Sequence, residues 1–387
     1  MAEKKTFSPL VFLASLGAGG IAIIPFSFLQ YTFHTGKGLI TLNQINHDLL
    51  PMMQQLLFYS LYAVMIIFTV IHFVMTVQNS KGLMQWVKTD AYKKFIDDPL
   101  KNAGVLAPFI SIAMTMNLFI GPIRFFVPWM ASNLQLMMLP ALLTLAVIWI
   151  LLLRTEIRLL KLSFTKSFDV NKIGFGWLLH PFALGMVTVT LSGVAAMSKN
   201  ADIAHTAAAM TMISGSMAFF LLVVKMVSIF QSHFAAPGLP EKQFLPSFLI
   251  VIPNITLLAI SGFRMGHYLH VQFNFHTEVL SFIIITFSFA FQTWYLMFGM
   301  ALLKDYFKKH FFKKEFYVSQ WGLICPFVAY AVLGSFVYKI FVPSSIVYSI
   351  VLLSTATAIV LFFILLRRHI QCKLSTNSST AKVACQG

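Results

Sequence analysis

The chain has 387 residues, of which 58% are hydrophobic and only 10% charged, with a formal net charge of +16. A mean hydropathy of +0.81 excludes a soluble domain and indicates a chain that crosses a membrane many times. The positive balance therefore fits basic loops facing an anionic leaflet, not a nucleic-acid partner.

A membrane-spanning helix needs about 20 apolar residues. By that measure ten spans are expected near 8–33, 50–77, 103–127, 134–153, 174–197, 203–230, 244–266, 279–303, 317–340 and 344–366. The first follows Lys4 and Lys5 and is too long for a signal-peptide core, so it reads as a retained span. Of the 28 basic residues, 22 fall on the amino-terminal side, in the even-numbered loops or in the tail. The positive-inside rule places both termini in the cytoplasm of a cell membrane, with a bacterial inner membrane the expected setting. The predicted fold class is thus an all-α membrane protein, ten helices in five like-oriented hairpins around a central pore. Residues 1–369 form one transmembrane domain, and the polar stretch 370–387 is expected to be a disordered cytoplasmic tail. The segment 79–101, with Leu83, Trp86, Val87, Phe95 and Ile96 among lysines, reads as an amphipathic stretch on the inner leaflet.

The odd-numbered spans carry the repeating features. Pro25, Pro108, Pro181, Pro253 and Pro326 fall one in each, the last four separated by 73, 72 and 73 residues. Proline removes a backbone donor and clashes with the preceding turn, so five in such order predict kinked helices about a common axis. Phenylalanine follows four of them, as Phe26, Phe109, Phe182 and Phe327. An aromatic beside a kink is a candidate for occluding a lumen by dewetting.

One basic residue stands near the outer end of each odd span: Lys37, Arg124, Lys199, Arg264 and Lys339. They lie 11 to 18 residues beyond their prolines, roughly 16–27 Å along a helix axis. Such cations belong to an outer mouth, where they raise the local concentration of anions. The same helices offer neutral donors. Ser111 with Thr115, and Thr188 with Ser192, share a face at i,i+4 spacing, and Asn254 replaces the phenylalanine after Pro253. Asn117, Thr256 and Ser261 add further polar groups. No carboxylate is expected in the middle of a span, with Glu156 and Glu278 at span edges. His180 is the one histidine beside a proposed kink and the candidate titrating group. His72 and His180 lack the paired spacing of haem ligands, and Cys325, Cys372 and Cys385 fit neither a disulfide framework nor a zinc site. No cofactor, metal or enzymatic motif is expected.

Three stretches stand out: Asp97-Asp98-Pro99 through Ala107-Pro108-Phe109 to Gly121-Pro122, Gly238-Leu239-Pro240 with Phe248 to Pro253, and Trp321 to Cys325-Pro326-Phe327. They resemble the tellurite-resistance/dicarboxylate transporter family, which includes the plant slow anion channels. Leu16-Gly17-Ala18-Gly19-Gly20 is a fainter echo. The resemblance implies a homotrimer of ten-span protomers, each with its own anion path. It implies an anion channel or a facilitative exporter of small inorganic or carboxylate anions. The alternative is a proton-coupled exporter of sulfite, a dicarboxylate or an oxyanion such as tellurite. One position departs from the family. The gating phenylalanine of the ninth helix is replaced by Cys325, so Phe327 is the expected occluding group.

Overall fold

The computed structural model describes residues 7–36, 38–169, 172–235, 239–313, 315–375 and 385–386. In lipid the backbone must satisfy its own hydrogen bonds, so long apolar runs fold as helices. Ten helices are long and apolar enough to cross a membrane, as the hydropathy pattern predicts. Spans one to five are Pro9–Phe33, Met52–Trp86, Asn102–Phe126, Leu134–Thr165 and Phe175–Met197. Spans six to ten are Ala201–Ala235, Leu245–Phe273, Glu278–Leu302, Val318–Ile340 and Ser345–Cys372. Spans two, four, six, seven and ten run past the ends expected from hydropathy, two and four the furthest. The last helix continues to Ser375, inside the stretch expected to be disordered. Most of that tail, residues 376–384 and 387, lies outside the described residues. Cys385–Gln386 pairs in parallel with Phe316–Tyr317 over two residues. Cys372 is disulfide-bonded, a pairing that the cysteine spacing did not suggest.

Burial divides the helices by parity. The odd spans are 61–100% buried over their apolar lengths, the even spans only 17–33%. Span one packs on three, three on five, five on seven, seven on nine, and nine back on one. The odd helices thus close a five-membered ring, and the even helices wrap it with faces left for lipid. Small residues allow the close approach. A Cβ added at Gly20 would lie 2.8 Å from Val328 Cγ1, and one at Gly17 3.1 Å from Ile324 Cδ1. Spans one and nine therefore touch nearly backbone to side chain.

The prolines do not act as mid-helix kinks in four of the five cases. Spans three, five, seven and nine each open with a 3₁₀ segment, at Asn102–Leu106, Phe175–Leu178, Leu245–Ile250 and Val318–Leu323. The α-helix starts immediately after, at Ala107, Leu179, Val251 and Ile324. Pro108, Pro181, Pro253 and Pro326 therefore sit in a first α-turn, where the missing N–H has no intrahelical partner to lose. Only Pro25 lies inside an α-helix, Phe12–Phe28, which then widens into a π-turn over Leu29–Phe33. The five 3₁₀ segments, with Pro9–Val11 of span one, contact one another in the same circular order. They form a collar at the amino-terminal ends of the odd helices, the end expected to face the cytoplasm.

The 79–101 stretch is divided between elements. Its first part completes span two, and Thr89 caps a short helix, Asp90–Ile96, by accepting from the Tyr92 amide. Trp86 and Ile96 are buried, and Trp86 packs against Phe7, Tyr92 and Phe95. These apolar side chains cover protein rather than lipid.

Candidate functional site

A cavity of about 390 Å³ occupies the axis of the ring. Span one lines it with Leu16, Gly20, Ile23, Ser27 and Gln30, and span five with Phe182, Met186, Val189, Gly193 and Ala196. Span seven offers Pro253, Thr256, Ile260, Arg264 and His267, and span nine Cys325, Val328, Val332 and Phe336. These are i, i+3/i+4, i+7 series, the single face that each straight helix turns to the axis. The innermost lining residue of each odd span is Leu16, Met114, Phe182, Pro253 or Cys325. Together they make a floor. Beneath it Phe12, Ile110, Leu178, Leu249 and Leu323 are almost wholly buried within the collar region. At the other end the cavity reaches Gly38 and Leu39 of the loop between spans one and two, expected on the outer side.

The candidate constriction residues separate by helical phase. Phe26, Phe182 and Cys325 line the cavity, whereas Phe109 and Phe327 do not. Phe327 lies two residues past Cys325, about 200° around the helix, and stands half-buried away from the lining.

The expected polar lining is spent on packing. Ser111 pairs with Ser15 at 2.8 Å, and Thr115 with His72 Nε2 at 2.8 Å. The Thr188 hydroxyl donates to Ser214 Oγ at 2.9 Å, Ser192 to the Val189 carbonyl at 2.8 Å, and Asn254 to the Ile250 carbonyl at 2.9 Å. None of the five lines the cavity. Buried hydroxyls and amides take the nearest protein acceptor because an unmade hydrogen bond is costly there. Asn117 and Thr256 do face the axis, each also tied to a neighbour, Thr190 at 2.8 Å and Gln292 at 2.5 Å. Gln30, Tyr31 and His267 line the outer part and were not anticipated. Their signal was available as the helical continuation of Leu16 in span one and of Pro253 in span seven.

The outer basic residues likewise divide. Arg124 donates to the carbonyls of Ile40 at 2.7 Å and Ile120 at 3.0 Å, pinning the outer loop, and its guanidinium stands 6.0 Å from the Phe26 ring. The Lys339 ammonium donates to the His34 carbonyl. Lys199 is exposed, and its backbone amide donates to Gln135. Lys37 lies outside the described residues. Of the described members of this set Arg264 alone faces the cavity, its Nη1 donating to the Val189 carbonyl at 2.6 Å across the span five–span seven seam.

His180 points away from the axis. Its Nδ1 lies 2.6 Å from Glu156 Oε2, and both side chains are essentially inaccessible. Lys225 of span six is buried close by, its ammonium 4.1 Å from the Trp177 ring centroid. Glu156 is therefore not at a span edge, because span four continues to Thr165. Outside the spans, Glu315 joins the inner loops through Lys242 at 2.9 Å, Tyr317 at 2.8 Å and His310 at 3.3 Å. Partial burial alone would raise the Glu315 pKa. Hydrogen bonds from Lys242, Tyr317 and His310 outweigh it and hold the carboxyl at about 2. Among the described residues no His/Cys/Asp/Glu group is arranged to hold a metal ion.

A closed ring of five helices around an axial cavity, jacketed by five lipid-facing helices, defines a polytopic membrane protein with a solute-sized chamber. The voltage-dependent anion channel family, SLAC1, matches residues 6–370. The chain belongs to that family, part of the tellurite-resistance/dicarboxylate transporter group, whose members are anion channels and transporters. No curated protein matches it.

Proposed function

We propose that this protein is an anion channel or facilitative exporter that passes small inorganic or carboxylate anions along the axis of the odd-helix ring. One observation carries the reading: Arg264 is the one lining side chain with a fixed charge, and no carboxylate lines the cavity among the described residues. A cation on an otherwise low-dielectric wall favours anions and repels cations. The cavity ends at the floor, where Phe182 is the one aromatic among the innermost lining residues, and the 3₁₀ collar lies below it. Phe182 is thus the proposed hydrophobic gate, taking the role that the family gives to an aromatic at the Cys325 position. Chloride flux into proteoliposomes tests this. Phe182→Ala is expected to raise flux at least several-fold, and Phe327→Ala to leave it unchanged. Wild-type flux from Phe182→Ala sinks the gate.

The second reading is proton-coupled export of sulfite, a dicarboxylate or an oxyanion such as tellurite, favoured by the buried Glu156–His180 pair. That pair stands outside the cavity lining, so a proton held there would not share the anion's path. Flux that requires a proton gradient and is uncoupled by Glu156→Gln would establish it over the channel. Both termini are assigned to the cytoplasm of a cell membrane by the basic-loop asymmetry, which protease accessibility in oriented vesicles tests. The trimer implied by family resemblance predicts a three-protomer mass in nanodiscs.

A further inference from the structure

We propose that the outer cavity is a binding site for a monoanion with an apolar body, a short-chain monocarboxylate, with its head on Arg264. The inference rests on the reading of this cavity as the anion path and adds the class of solute. Three observations support it. First, the charge complement is single. Arg264 makes no ion pair among the described residues, and the other polar lining groups named above are amides, hydroxyls and the exposed His267 imidazole. One negative charge finds a partner here. A second would be drawn from water without one, which a low-dielectric wall penalises heavily.

Second, the guanidinium is positioned in advance. Its Nη1 is held by the Val189 carbonyl at 2.6 Å, and it lies against Gly193, where an added Cβ would come within 3.3 Å of Nη1. A planar fork held against a neighbouring helix suits the two oxygens of a carboxylate. Third, the wall is apolar and the chamber is larger than a bare ion requires. Met186, Leu257, Ile260, Val332 and Phe336 face the space, whose volume of about 390 Å³ falls in the range of small-molecule pockets. Each methylene that leaves water for such a wall strengthens binding about fourfold.

The test is equilibrium binding by titration calorimetry to the full-length protein in detergent, at about pH 8, where an ordinary imidazole is neutral. Butyrate is expected to bind about fifteenfold more tightly than acetate, two methylenes at about fourfold each, and succinate at least tenfold more weakly than butyrate. Arg264→Gln is expected to lose butyrate binding, and Arg264→Lys to keep part of it. The proposal is overturned if succinate equals or exceeds butyrate, if acetate and butyrate are alike, if none of the three binds, or if Arg264→Gln binds as wild type does. The ligand series needs only the wild-type chain, so a misfolded variant leaves it decisive. Chloride flux in proteoliposomes is read separately, so failure of this solute class and failure of the channel reading are distinguishable.

Discussion

At the residue scale the buried charges separate structural from functional roles. Glu156 continues the stripe Leu145, Ile148 and Leu152, all buried against the ring, and Leu159 follows it in register. The periodicity was present in the sequence, but the neighbouring Arg154 and Arg158 led hydropathy to end the span before Glu156. Glu156 bonds His180 at 2.6 Å and is electrostatically coupled to Lys225, itself buried over Trp177. Removing one member of a buried charge set leaves the others uncompensated, at a cost of about 3–5 kcal/mol. Glu156→Gln is therefore expected to lower thermal stability in detergent by about that amount, and adding Lys225→Met to recover at least half. A double variant no more stable than the single would show that the cluster does not hold Lys225. Arg264 shows the opposite case: its residue type was legible as a mouth cation, but only its helical phase separates it from Arg124, whose donors close a loop.

At the element scale the proline spacing located the right helices for a reason that differs from the expected one. The 73-residue rhythm predicts where each odd span changes character, and the structure shows a change of helix type, from 3₁₀ to α. Sequence could mark that point because proline is strongly placed in a first turn, but it could not distinguish a first turn from a mid-helix break. The face presented to the axis was less legible. Hydroxyl-bearing residues were expected to line the pore, yet their side chains satisfy helix carbonyls or adjacent helices, and apolar residues cover most of the wall. Gly17 and Gly20 make the seam between spans one and nine, and Gly20 and Val328 of this seam also line the cavity. Gly20→Val is expected to cost about 1–3 kcal/mol, since its methyls must displace Val328 or push the helices apart. Gly20→Ala should cost less. Melting temperatures of the detergent-solubilised variants measure both, and an unshifted Gly20→Val would mean that the seam yields freely.

At the scale of the whole molecule, the structure shows one end of the axis hollow and the other packed. The cavity ends at the floor that includes Phe182 and Cys325, while the collar joins all five hairpins through their 3₁₀ starts. On the proposed channel reading this arrangement is closed, and opening it would loosen the collar where it meets the adjoining loops. Trp177 Nε1 donates to the Pro99 carbonyl at 2.8 Å between spans five and three, and a second set of links lies between spans seven and nine. Ser319 Oγ donates to the Gln243 carbonyl at 2.6 Å, and Glu315 accepts from Lys242 and Tyr317 beside it. The Glu315 carboxyl is held at about 2 when folded, below its ordinary value of 4.5, because hydrogen bonds to the charged form overcome burial. A depressed carboxylate contributes its full stability above the unfolded value and loses it as pH falls towards the folded one. Glu315→Gln should therefore melt lower than wild type at neutral pH, yet show a shallower loss of melting temperature between about pH 5 and pH 3. If the link also restrains the collar, the same variant will pass chloride faster at neutral pH while its Phe182 floor remains intact. Parallel pH profiles for variant and wild type would show that Glu315 does not hold these loops. A lower melting point with unchanged flux would separate the collar's stability from its gating.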